Sequence, residues 1–98
     1  MMDRIIREDA RLILLRALAE QPDGRLNSEL LRETLRNFGI SKSRDWVHDE
    51  LRHLAELAAV RVHEIGSVRV AELTAKGLDH VERRLVIEGV KRPSPPVA

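Results

Sequence analysis

Apolar positions recur along the chain with two different periods, and the change of period divides it. From Asp3 to about Glu20, Ile6, Ala10, Ile13 and Ala17 return at helical spacing, with Leu15 and Leu18 beside them. Asp3 is the candidate N-cap, and "QPDGR" (21–25) ends the helix, because Pro22 cannot continue it and Asp23-Gly24 signals a turn. A second helix, "NSELLRETLRNFG", is predicted to start from a cap at Asn27 or Ser28, to bury Leu30, Leu31, Leu35 and Phe38, and to stop at Gly39. A third runs through "SKSRDWVHDELRHLAEL" (41–57) from a cap at Ser41 or Ser43. Its Val47, Leu51, Leu54 and Ala58 make one apolar face, which Trp46 and Leu57 widen.

The period then drops to two. "VRVHEI" (60–65) and "VRVAEL" (68–73) alternate around Gly66-Ser67, which reads as a two-residue hairpin turn. Val60, Val62 and Ile65 are not in one phase, which predicts a bulge or register shift near His63. Thr74 caps a last helix, "TAKGLDHVERRLV", with Ala75, Leu78, Val81 and Leu85 inward and Gly77 weakening it. The end, "EGVKRPSPPVA", with prolines at 93, 95 and 96, is expected to be an extended, mobile tail.

The order is therefore helix, a short strand near Arg25-Leu26, helix, helix, strand, strand, helix. This mainly α order with a small β-hairpin resembles the winged helix-turn-helix superfamily, in which the hairpin is the wing. It implies a domain over 1–87 and a basic, proline-rich tail over 88–98. "LTAKGLDHVERR" is similar to the join that follows the wing in many bacterial regulators of the superfamily. "REDARLILLRALAE", "SRDWVHDELRHLAEL", "LTAKGLDHVE" and "GVKRPSP" together resemble a family of small winged-helix proteins of Mu-like phages and prophages. That resemblance covers nearly the whole chain and implies a DNA-binding or regulatory accessory protein on the strength of fold, and fold alone does not assign function.

Composition narrows how such a protein can work. The 98 residues suit one small domain, 43% of them apolar, with Trp46 and Phe38 the only aromatics. Seventeen basic side chains face 16 acidic ones, so the strongly basic balance usual in nucleic-acid binders is missing. Any DNA contact must come from local placement of charge. The chain has no cysteine, which excludes disulfides, thiolate metal sites and a Cys nucleophile. The apolar run "LILL" lies between Arg11 and Arg16 and is too short for a signal or a membrane span, so a cytoplasmic protein is expected. His48, His53, His63 and His80 lack metal-ligand spacing, and no phosphate loop or nucleophile motif occurs. No cofactor, metal or enzymatic activity is expected.

The candidate DNA contacts lie on the third helix and the hairpin. The start of a recognition helix touches base edges. Arg44 is the best base reader, since its guanidinium fork matches the two acceptors of guanine. Lys42 and Ser43 suit phosphate at a helix N-terminus. His48 and Arg52 complete the outward set. Arg61, His63 and Arg69 lie on the hairpin, near its tip, where a wing reaches backbone or minor groove. Lys91 and Arg92 charge the tail. Against these stand Asp45 and Asp49, one turn apart, and Glu50, which phosphate would repel. Trp46 is read as a core anchor between the third helix and the hairpin. The first helix has apolar residues on several faces, and Ile5, Leu12, Leu85, Val86 and Ile87 are the candidate homodimer surface. Two readings result. One is a dimeric winged-helix protein that binds double-stranded DNA. The other is a winged-helix module that binds a protein and never touches DNA.

Overall fold

A computed structural model describes residues 1–95. The elements are α1 (Met2–Ala19), β1 (Arg25–Asn27), α2 (Ser28–Asn37), α3 (Arg44–Glu56), β2 (Val60–Ile65), β3 (Val68–Leu73) and α4 (Ala75–Val81). The three strands form an antiparallel sheet in the order β1-β3-β2, so the first short strand completes the base of the hairpin. This is a winged helix: mainly α, with α2 and α3 as the helix-turn-helix and β2-β3 as the wing.

The helix starts follow local side-chain chemistry. Asn27 Oδ1 accepts from the Leu30 N–H at 2.9 Å, Ser43 Oγ from the Trp46 N–H at 3.1 Å, and Thr74 Oγ1 from the Gly77 N–H at 3.1 Å. Helix α1 begins two residues earlier than a cap at Asp3 implies, with Met1 at the N-cap position and no side-chain cap. Asp3 instead lies within the first turn, bonded to Arg7 one turn on at 2.9 Å.

Leu14, Leu15, Leu18, Leu31, Leu35, Val47, Leu51 and Leu54 fill the core, joined from the sheet by Val60 and Ala71. On α2 the buried stripe is narrower than the expected one. Leu30 and Phe38 are 52% and 67% exposed, and of the four expected residues only Leu31 and Leu35 are buried. No bulge interrupts the hairpin. Pairing runs unbroken from Val60↔Leu73 to Ile65↔Val68, and Ile65, out of phase with Val60 and Val62, simply points away from the core.

The fourth helix is shorter than its pattern predicts. It stops at Val81, and Arg83 takes a left-handed backbone conformation (φ 64°) that turns the chain back. Residues 85–93 then pack on the domain instead of continuing as helix or leaving as a free tail. Ile87, Val90 and Pro93 are buried. The buried His80 ring holds the segment at both edges: Nδ1 accepts from the Ile87 N–H at 3.0 Å, and Nε2 lies 2.9 Å from the Lys91 carbonyl. An N–H can only donate and a carbonyl can only accept, so the ring proton sits on Nε2. Lys91 N–H donates to the Glu8 carbonyl of α1, and Arg11 donates to the Gly89 carbonyl at 2.8 Å. The packed body thus extends to Pro93; positions 96–98 of the expected tail lie outside the described residues.

Gly77 is fixed by a close approach. A Cβ there would overlap the Ala59 carbonyl and come within 2.7 Å of Leu73 Cδ1. Two effects of Gly77→Ala oppose each other: helix propensity would stabilise by about 1 kcal/mol, whereas forcing a methyl against backbone costs about 1–3 kcal/mol. Because one obstacle is a carbonyl fixed by its own hydrogen bond from Thr74, the overlap wins. Urea unfolding of Gly77→Ala is expected to show a net loss of about 1–2 kcal/mol; a gain in stability would contradict this packing.

Candidate nucleic-acid interface

The rotation of α3 about its axis decides which charges it presents. Val47, Leu51 and Leu54 face the core, and Glu50 shares their face, 1% exposed. Glu50 therefore does not oppose a ligand. Its carboxylate lies between two guanidiniums of α1, with Oε2 2.6 Å from Arg7 Nη1 and Oε1 2.6 Å from Arg11 Nε. The side of α3 away from the core carries Asp45, Asp49, Arg52 and Glu56, all exposed. Arg52, an expected DNA contact, is engaged there by Asp49 at 3.7 Å and Glu56 at 3.3 Å. The outermost line of the helix is therefore acidic.

The basic groups gather at one edge. His48 is half-buried on the flank of α3 that faces α2 and the wing, with Nε2 3.0 Å from Ser28 Oγ. Ser28, 1% exposed at the start of α2, also accepts from the Arg69 N–H of β3 at 3.2 Å. One hydroxyl thus ties α2, α3 and the wing together. Burial pushes the His48 pKa below the ordinary histidine value, and the positive charges of Arg69 and Arg44 push it the same way, against smaller opposing effects of Asp45 and Glu29. Arg44 and His48 stand one turn apart on α3, and Ser28 Oγ links His48 to the Arg69 backbone of the wing. Arg44 is exposed and has no ion-pair partner among the described residues, while Arg69 has a 3.5 Å pair with Glu64.

The wing residues separate by strand face. Glu64 and Arg69 pair across the hairpin on the side that continues the core face, toward α3. Arg61 and His63 lie on the opposite side. Arg61 is also far from the Gly66-Ser67 turn, opposite Glu72 at the base of the hairpin, so it is not at the tip as the sequence suggested. Glu72 is held below the usual carboxylate range by His63 and by Arg25. Of the three basic hairpin residues, Arg69 is the one linked to α3, through Ser28 and His48.

The start of α3 borders a second basic feature. A cleft of about 230 Å³ is lined by Arg32, Arg36, Ser41, Lys42 and Ser43. Arg32 Nε donates to the Lys42 carbonyl at 2.8 Å and so fixes the turn between α2 and α3. The Ser43 hydroxyl oxygen serves as the α3 cap, which leaves its proton to donate. Lys42 Nζ lies over the Trp46 ring at 5.4 Å, and Arg7 over the same ring at 5.4 Å. Trp46 is accordingly half-buried between α3 and the start of α1, not between α3 and the hairpin. Arg32 and Arg36 were not singled out from the sequence, and Ser28 only as a possible helix cap. The i,i+4 spacing of Arg32 and Arg36 ahead of the serine-rich turn was the available signal.

The residues expected to form a dimer surface do not stay together. Leu12 and Ile87 are each 3% exposed, spent on the chain's own core, and Leu85 is half-buried. Ile5 and Val86 remain exposed. Among the described residues no helix is long and apolar enough to cross a membrane, and no group of acidic or histidine side chains is arranged to hold a metal.

No family model matches the chain. Over 95 residues it is 37% identical to the uncharacterized protein gp26 of Escherichia phage Mu, a likeness that spans 97% of this chain and 98% of that protein. Among solved structures, F93 from STIV, a winged-helix DNA-binding protein, is similar at a TM-score of 0.59 and 28% identity, over 74% of this chain and 79% of F93. A structure of hsRosR-S4 in a complex is similar at a TM-score of 0.63 and 20% identity, over 81% of this chain and 73% of that one, a likeness of fold alone. Fold, length and sequence therefore agree: the chain is a phage-type winged-helix protein and belongs to the family of phage Mu gp26.

Proposed function

We propose that this protein binds double-stranded DNA as a non-enzymatic regulator of transcription, of phage or prophage type, acting in the cytoplasm. The observation that carries the reading is the grouping of Arg44, His48 and Arg69 on the edge where α3, α2 and the wing meet. The cleft of Arg32, Arg36 and Lys42 beside the α3 start supports it, as does the similarity to a winged-helix DNA-binding protein. Glu29 at 3.8 Å and Glu33 at 3.3 Å engage the two arginines of that cleft from the flank. The acidic outer line of α3 limits the pose. The helix meets DNA by its first turn and its wing-facing flank, with Arg44 at base edges and Arg32, Arg36, Lys42 and Ser43 on a phosphate strand. Arg69 follows the neighbouring backbone, and Arg61 and Arg52 contribute at most long-range attraction.

A second reading, docking to a basic protein surface, is favoured by Asp45, Asp49 and Glu56 on the outer line. Titration of labelled duplex from phage DNA separates the two. DNA binding predicts an affinity that falls as salt rises, with a slope set by about three to five phosphate contacts. Arg44→Ala is expected to weaken binding by about 1–3 kcal/mol and to relax sequence preference. Absence of binding at low salt would leave only the second reading.

His48 adds a pH dependence. Its folded pKa is depressed, so the unfolded chain takes up a proton first; the neutral ring's contribution to stability is complete above about pH 6.5 and falls as pH drops below that value. A phosphate beside Arg44 and Arg69 reverses the local charge and raises the pKa in the complex. Binding then takes up a proton, and affinity is expected to increase as pH is lowered from about 7.5 to about 6. In His48→Gln this increase should shrink measurably, and an identical pH profile for both proteins would rule the linkage out.

A further inference from the structure

A groove of about 440 Å³ lies on the side of α2 away from the basic cleft, where the end of α1, the end of α2 and α4 meet. At about 100° per residue, Thr34 and Phe38 stand on roughly the opposite flank of α2 from Arg32 and Arg36. Ile13, Ala17, Ala19 and Val81 contribute its apolar lining. Phe38 stands at its margin, 67% exposed, a large apolar surface that folding leaves in water.

Two observations identify the occupant. The first is shape. A protruding aromatic ring and an apolar hollow lie side by side on one surface, which is self-complementary under a twofold axis. The second is charge. Arg16 and Glu20 both line the groove and sit one helical turn apart, yet neither has an ion-pair or hydrogen-bonding side-chain partner among the described residues. Elsewhere in the protein i,i+4 pairs do close, as in Arg4–Glu8 at 3.0 Å. An antiparallel crossing of two α1 helices brings each of these charges to its opposite in the other copy. Exposed Val86, by contrast, borders a cleft lined mainly by charged groups, among them Arg4, Glu8, Glu88 and Arg92.

We propose that a second copy of this chain occupies the groove, in a twofold homodimer. Each Phe38 enters the hollow of the other copy, and Arg16 pairs with Glu20 of the partner subunit. The interface replaces the sequence-derived surface around Ile5, Leu12 and residues 85–87. It leaves the basic edge of α3 free on both copies and does not depend on DNA.

Sedimentation equilibrium of the full chain without DNA tests this. A monomer–dimer equilibrium is expected. Phe38→Ser should raise the dimer dissociation constant by at least about tenfold, as for a central aromatic anchor, with an unchanged circular dichroism spectrum because the ring is exposed. Arg16→Glu and Glu20→Arg should each weaken the dimer, and the two together should restore it. Val86→Ser should leave it unaltered. A chain that stays monomeric up to about 200 μM, where a dimer held by more than about 5 kcal/mol would be largely formed, overturns the proposal. So does a dimer indifferent to Phe38→Ser, or a double charge exchange that weakens the dimer further.

Discussion

The Glu50 carboxylate, buried between Arg7 and Arg11, is the interaction on which the orientation of the site depends. Desolvating Glu50 and most of Arg11 is costly, while Arg7 keeps about a third of its side chain in water. A buried pair of this kind adds little net stability over apolar packing, and removing one of its buried members is what costs several kcal/mol, on the order of 3–5. What the network sets is geometry. Leu, Val and Ala side chains on α3 would pack acceptably over a range of small rotations, but a carboxylate that must meet two fixed guanidiniums will not. With Glu50 inward, Asp45, Asp49 and Glu56 are turned outward, and Arg44 and His48 fall on the flank beside the wing. Arg11 also donates to the Gly89 carbonyl, so the same group anchors the returning C-terminal segment.

Ser28 performs the matching role on the other side of α3. Its buried oxygen meets His48 and the Arg69 N–H, so recognition helix and wing share one hydrogen-bonding centre. Phosphate attraction there does not require a basic protein, only the separation of charges that the fold imposes: acids along the outer line of α3, bases at its start and flank. That separation makes a near-zero net charge compatible with the proposed nucleic-acid role.

The order of elements was legible in the sequence because it is written in local signals. The period changes from helical to alternating at Val60, and Asn27, Ser43 and Thr74 cap the helices that follow them. The features that were not legible depend on partners distant in sequence. Glu50 reads as one more surface acid until Arg7 and Arg11 are brought to it. Residues 85–93 read as helix and tail because the His80 ring and the α1 carbonyl that hold them are visible only in three dimensions. Phe38 fits the helical stripe of α2 by spacing, yet it stands at the margin of the groove beside α1 and stays 67% exposed. The candidate site was legible to the level of helix and end: Lys42, Ser43 and Arg44 do lie at the α3 start, but the sorting of Arg61 from Arg69 needed the strand register.

The central claim is that α3 meets duplex DNA by its first turn and wing-facing flank, and not along its outer line. Backbone amide resonances of the isotope-labelled chain, followed through a titration with duplex DNA at low salt, test it residue by residue. The account predicts the largest shifts at Ser43, Arg44, His48 and Arg69, with little change at Asp49 and Glu56. Shifts centred on Asp49 and Glu56, or no shifts at all, would contradict it.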